Sequence, residues 1–173
     1  MSKVETLFSG KFVELVRDGR WEYVRRVKAK GAVFVLAVTP DQELVLVEQY
    51  RTAVQEHTIE LPAGIYGDDE SAENETPEHC ALRELEEETG FRAKVARVVF
   101  TGPVAPGLTS EIMYLVRVGG MVRAHAGGGV GGENITVHVV PLKDLERWLA
   151  RKAREGSLID PRIYLGLHFL AEK

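Results

Sequence analysis

Apolar positions along the chain alternate between two periods, which sort it into strands and helices. Residues 12–16 and 21–27 read as two strands, and Asp18-Gly19 between them is a hairpin turn signal. Residues 32–38 are apolar throughout, with β-branched valine at three of the seven positions, which predicts a buried strand. Pro40-Asp41-Gln42 makes a turn into a further strand over 44–49. A short strand is expected over 59–63 and an acidic loop over 67–75. Thr76 can then cap a helix that Pro77 opens. Cys80, Ala81, Leu82 and Leu85 give that helix an apolar stripe, and Gly90 can end it in a left-handed conformation.

Strands are expected next over 94–100 and 112–118. Residues 127–132 (Gly-Gly-Gly-Val-Gly-Gly) read as a mobile loop before a strand over 135–140. A second helix is expected over 142–154, with Leu145, Trp148 and Leu149 on one face. Asp160-Pro161 opens a third helix that ends near Leu170. No repeat and no long linker interrupts the pattern.

Composition narrows the class. The 173 residues are 45% hydrophobic and 28% charged, enough for one domain with a real core. With 26 acidic against 22 basic residues, the net charge of -4 argues against a nucleic-acid partner. Cys80 is the single cysteine, so no intrachain disulfide forms and a reducing compartment is expected. The first residues lack the basic and apolar runs of a signal peptide, and 32–38 is too short to cross a bilayer. A cytoplasmic protein without a membrane partner is expected.

The candidate chemistry lies in residues 83–91, Arg-Glu-Leu-Glu-Glu-Glu-Thr-Gly-Phe. On a helix, Glu84, Glu87 and Glu88 share one face, and Arg83 stands four residues before Glu87, close enough to steady its carboxylate. Two carboxylates about 4 Å apart repel by up to about 4 kcal/mol at an effective dielectric near 20. A hard divalent cation such as Mg²⁺ turns that repulsion into binding. The alternative is a solvated acidic helix face.

The order of residues around these glutamates resembles the Nudix box, whose later half reads Arg-Glu-apolar-X-Glu-Glu-X-Gly-apolar; residues 83–91 match each fixed position. Glu75 matches the acidic position eight residues before the arginine. Glu60-Leu61-Pro62-Ala63-Gly64 resembles the lead-in found in the branch that cleaves ADP-ribose and nucleoside-diphosphate sugars. The family pattern places five residues between the opening glycine and the first glutamate, whereas ten separate Gly64 from Glu75. Either the loop carries an insertion or Glu70 takes the place assigned to Glu75.

The resemblance implies an α/β fold, a mixed sheet between helices with an N-terminal β-hairpin extension. It divides the chain into an extension over 1–30, which would build a homodimer, and a Nudix domain over 31–173. By the same resemblance Glu84, Glu87 and Glu88, with the main-chain carbonyl of Ala63, would hold Mg²⁺, for which Mn²⁺ can substitute. Glu133 and Glu87 are the implied catalytic residues, Glu133 as general base on the glycine loop. Arg51 would contact substrate, Glu60 would orient Arg51 or meet the adenine side, and Glu111 would serve metal or ribose. The implied reaction is Mg²⁺-dependent hydrolysis of the diphosphate of ADP-ribose or a nucleoside-diphosphate sugar. Alternatives within the fold are a nucleoside triphosphate or dinucleoside polyphosphate as substrate, or a sensor that binds a nucleotide sugar without turnover. A cation-stabilised acidic interaction module is a further reading.

Other features carry less. The glycine run lacks the Gly-Lys-Ser/Thr and the following helix of a phosphate loop. The five histidines show no metal-ligand spacing, and His138 reads as a packed strand residue. Cys80 reads as core. Trp21 and Tyr23 could stack on a base, although strand aromatics more often pack in a core or interface.

Overall fold

The computed structural model describes residues 4–67 and 75–171. The strands, in chain order, are β1 (Glu5–Ser9), β2 (Val13–Asp18), β3 (Trp21–Arg26), β4 (Gly31–Leu36), β5 (Glu43–Arg51), β6 (Glu56–Glu60) and β7 (Ala63–Tyr66). Helix α1 (Pro77–Thr89) precedes β8 (Phe91–Arg92), β9 (Val95–Pro103), β10 (Ile112–Gly119), β11 (Val122–Arg123) and β12 (Thr136–Pro141). Helix α2 (Leu145–Arg154), β13 (Leu158–Ile159) and α3 (Arg162–Ala171) complete the chain.

Two four-stranded sheets carry the fold, ordered β7-β4-β10-β9 and β12-β5-β6-β13. The β4–β10 and β6–β13 pairs are parallel and the other pairs in these sheets antiparallel, so both are mixed. Every residue of β4 is buried, because both of its faces are covered. Val35 and Ala37 face one way, into a core with Ala81 and Leu85 of α1. Phe34 and Leu36 face the other way, into a core with Leu145 and Leu149 of α2 and Ile163 of α3. Burying each such large side chain contributes about 1.5–3 kcal/mol.

The strand expected over 59–63 is two strands. β6 pairs with β5, while β7 pairs with β4 in the other sheet, and the chain changes sheets at Leu61-Pro62. Pro62 has no N–H for a ladder, but its carbonyl accepts from the Val35 N–H at 2.8 Å. The helix expected over 142–154 starts as a single 3-10 turn, Leu142–Asp144, before α2. β1, β8, β11 and β13 were not legible as strands. Glu70, the alternative to Glu75, lies outside the described residues.

The N-terminal strands form a separate sheet, β1-β2-β3. β3 reaches the loop before β10: the Val24 N–H donates to the Leu108 carbonyl at 2.8 Å and Ser110 N–H returns to the Val24 carbonyl at 3.1 Å. This contact brings Arg26 against Glu111. Among the described residues, no helix is long and apolar enough to cross a membrane.

Candidate active site

Helix α1 positions the glutamates, and both of its ends are built from local chemistry. The Thr76 hydroxyl oxygen accepts from the His79 N–H at 3.3 Å, and Pro77 fills the first position. Gly90 has φ 74°, and its N–H donates to the Glu86 carbonyl at 2.8 Å. The last carbonyls of α1 are taken by the glycine loop: Gly128 N–H donates to the Glu88 carbonyl at 2.8 Å and Gly129 N–H to that of Glu87 at 3.1 Å. A side chain at Gly127 would strike the Thr89 backbone, so the glycines here serve close docking. The expected mobile loop is thus tied to α1 through its first half.

Glu84 and Glu88 face a cleft of about 670 Å³, a volume suited to a nucleotide-sized ligand. Glu88 is 4% exposed, and its Oε2 accepts from the Ala63 N–H at 3.0 Å. Burial pushes its carboxyl up to about 8; the Ala63 N–H opposes this, and the negative charges of Glu84 and Glu133 add to it. Burial likewise raises Glu84 to about 7, against the pull of Arg83. The Glu84 carboxylate rests where a Cβ on residue 64 would lie, so only glycine leaves room for it.

Glu87 turns elsewhere. Its Oε2 is 3.1 Å from Arg83 Nη1, and it lines a smaller neighbouring pocket with Glu86 and His125. Arg83 also pairs with Glu84 at 2.8 Å and with Glu75 at 3.3 Å. Glu75 Oε2 is buried with no hydrogen-bond partner among the described residues.

Opposite the glutamates, Arg51 at the end of β5 is forked by Glu60 of β6: Nε and Nη2 donate to Oε1 and Oε2, each at 2.7 Å. Glu60 is 3% exposed, and the Thr58 hydroxyl also donates to it. This bidentate pair fixes the guanidinium plane and raises the Arg51 pKa. Glu111, paired with Arg26, and Glu133 also line the cleft. The Val130 N–H donates to Glu133 Oε2 at 3.1 Å. Arg51, Glu60, Ala63, Glu84, Glu88, Glu111 and Glu133 therefore share one cleft, with Glu87 beside it.

The donor chemistry fits a hard divalent cation: the side chains offer oxygen, buried Glu88 stands near the charge of half-buried Glu84, and Glu75 holds a buried oxygen without a partner among the described residues. Among the described residues, no three acidic, histidine or cysteine side chains converge closely enough to chelate an ion as they stand. Arg83 supplies the countercharge to Glu84 and Glu87 through one oxygen of each, which leaves the other oxygen of each carboxylate for a cation.

Sequence reasoning missed Arg26, Asp160, Arg162 and Phe34, which line the same cleft. None lies in a local motif. His138, read as packed, meets Glu48 at 2.8 Å outside the cleft, and Glu48 also binds Lys152 and Ser157 at 2.7 and 2.9 Å.

A family model described as the NUDIX domain matches residues 28–159. The chain is 34% identical over 134 residues to a methanol dehydrogenase activator of Bacillus methanolicus, covering 74% of this chain and 70% of that one. It is 37% identical over 117 residues to an ADP-ribose pyrophosphatase of Bacillus subtilis (strain 168), covering 64% of this chain and 60% of that relative's length. Its fold is similar to that of an ADP compounds hydrolase, with TM-score 0.66, 24% identity and coverage of 86% and 80% of the two chains. The domain match spans well over half the chain and includes every glutamate of the cleft, so this protein belongs to the Nudix family.

Proposed function

We propose that this chain hydrolyses the diphosphate linkage of ADP-ribose or a nucleoside-diphosphate sugar, releasing a nucleoside monophosphate and a sugar phosphate. The observation that carries the reading is one cleft with half-buried Glu84 and buried Glu88 on one side and the Arg51–Glu60 fork on the other. The name of the Bacillus subtilis relative supports the substrate class.

Glu84, Glu87 and Glu88, with the Ala63 carbonyl, would hold Mg²⁺. When bound, the ion neutralises the diphosphate and polarises a phosphorus–oxygen bond. Arg51, its plane set by Glu60, steadies a phosphate through charge-assisted hydrogen bonds. Glu133 takes a proton from the attacking water as that oxygen bonds to phosphorus and the bridging phosphorus–oxygen bond breaks. Such general-base assistance is typically worth about 10²–10⁴-fold. Glu111, held by Arg26, lines the same cleft and suits ribose hydroxyls.

A homodimer through the N-terminal strands belongs to the same reading. Phe8, Phe12 and Trp21 stand 66%, 69% and 66% exposed on or beside the β1-β2-β3 sheet, an apolar surface that a second copy would cover. The single buried thiol of Cys80 suits the reducing cytoplasm.

The test is a substrate panel with Mg²⁺: ADP-ribose, ADP-glucose, UDP-glucose, GDP-mannose, dGTP and diadenosine tetraphosphate. Monophosphate release from the sugar diphosphates supports the proposal. Turnover of only the last two compounds moves the substrate class, and binding without turnover indicates a sensor.

A further inference from the structure

The wall of the cleft formed by residues 158–162 carries a second arginine, Arg162, at the start of α3. Its guanidinium carbon lies 4.0 Å from the centroid of the Phe34 ring, and Phe34 is itself 5% exposed. Its Nε donates to Asp160 Oδ1 at 2.7 Å and its Nη2 to Asp160 Oδ2. The Asp160 side chain is 8% exposed. The plane of this guanidinium is therefore fixed by a ring below and a buried carboxylate at its edge.

Pairing with the buried Asp160, whose Oδ1 also accepts from the Arg162 N–H at 2.8 Å, gives arginine a structural role but leaves its Nη1 unused among the described residues. The first turn of a helix disfavours a cation, because the helix dipole is positive at that end. An apolar side chain would cover Phe34 but would leave the buried Asp160 carboxylate without its countercharge. Both forks are built alike: Arg162, like Arg51, uses Nε and Nη2. In each, Nη1 keeps its donors without a partner among the described residues. The two arginines line the same cleft, and the charge of Asp160 acts on Arg51 as well.

We infer that Arg162 is a second substrate-binding guanidinium, which with Arg51 brackets the oxygen-rich part of a nucleotide diphosphate and donates from Nη1 to its acceptors. The acceptors are oxygens of either the distal phosphate or the attached sugar. The inference rests on the functional reading above and adds a specificity-determining residue to it.

Titration calorimetry with Mg²⁺ and two non-hydrolysable probes tests it: α,β-methylene-ADP-ribose, and α,β-methylene-ADP, which lacks the sugar. Arg162→Met keeps an apolar stem over Phe34, and its Kd is expected to rise about 10-fold or more, the scale of one lost charge-assisted hydrogen bond. Weakening toward both probes assigns the contact to phosphate. Weakening toward the ribose probe alone assigns it to the sugar, and either result supports the inference. Arg162→Lys keeps the charge without the fork and is expected to fall between; it carries the test if the methionine variant does not fold. An unchanged Kd for both probes overturns the inference while leaving the functional reading intact. Failure of the unmodified chain to bind either probe overturns both.

Discussion

Gly64 and Glu84 share one space: a Cβ built on Gly64 would lie 2.0 Å from the Glu84 carboxyl carbon. Gly64 sits in β7 without a positive φ, so backbone strain is not what calls for glycine. The clash would fall on the far end of a flexible side chain, which can move at little cost to the fold. Gly64→Ala is therefore expected to stay folded, with Tm lowered by no more than about 4 °C. Turnover should drop about 10²-fold, because the carboxylate is pushed from its place. Thermal melting beside initial rates checks this, and an active variant would show that Glu84 is not needed where it lies.

The Arg51–Glu60 fork predicts that charge alone does not suffice at position 51. Lysine cannot reproduce two parallel N–H donors to one carboxylate. Arg51→Lys should lower kcat/KM by about 10-fold or more, with most of the loss in KM. Equal kinetics for the two side chains would remove Arg51 from substrate binding.

Cation binding should release protons. Burial raises Glu84 to about 7 and Glu88 to about 8, and a bound ion requires both carboxylates ionised. Mg²⁺ affinity is therefore expected to rise from pH 6 to about 8 and then level off. Calorimetry in buffers of different ionisation enthalpy measures the protons released near pH 7, and Glu88→Gln should diminish them. Affinity independent of pH would contradict the assignment.

Glu48 predicts an acid limb to stability. Burial works to raise its carboxyl, but hydrogen bonds from Lys152, His138 and Ser157 outweigh this and bring it to about 2. A folded pKa below the ordinary 4.5 means that the unfolded chain binds the proton first as pH falls. The stabilisation is present above 4.5 and is lost as pH falls through about 2. Glu48→Gln should be less stable at pH 7 and lose less on acidification than the unmodified chain. Parallel melting curves from pH 7 to 2 check it.

Local pattern made much of this molecule legible. The apolar run of β4 marked a buried strand, and Thr76, Pro77 and Gly90 marked the ends of α1 because capping is a local matter. Helical spacing made Glu84 and Glu88 legible as neighbours in one cleft, whereas Glu87, expected beside them, lines the adjoining pocket. What stayed hidden depends on distant partners. Phe34 meets Arg162 only because β4 and the start of α3 border one cleft. The change of sheet at Leu61-Pro62 needed both sheets to be seen, whereas the Glu60 fork on Arg51 was one of two roles that the family resemblance implied for Glu60. The glycine loop read as free, since nothing in its composition shows its N–H groups docked on the end of α1.

The most direct measurement incubates the chain with ADP-ribose and Mg²⁺ and resolves the products by chromatography, with Glu88→Gln alongside. The account predicts AMP and ribose 5-phosphate in equal amounts, formed at least about 10²-fold more slowly by the variant. It is contradicted if the unmodified chain cleaves neither ADP-ribose nor any nucleoside-diphosphate sugar, or if Glu88→Gln cleaves them at the full rate.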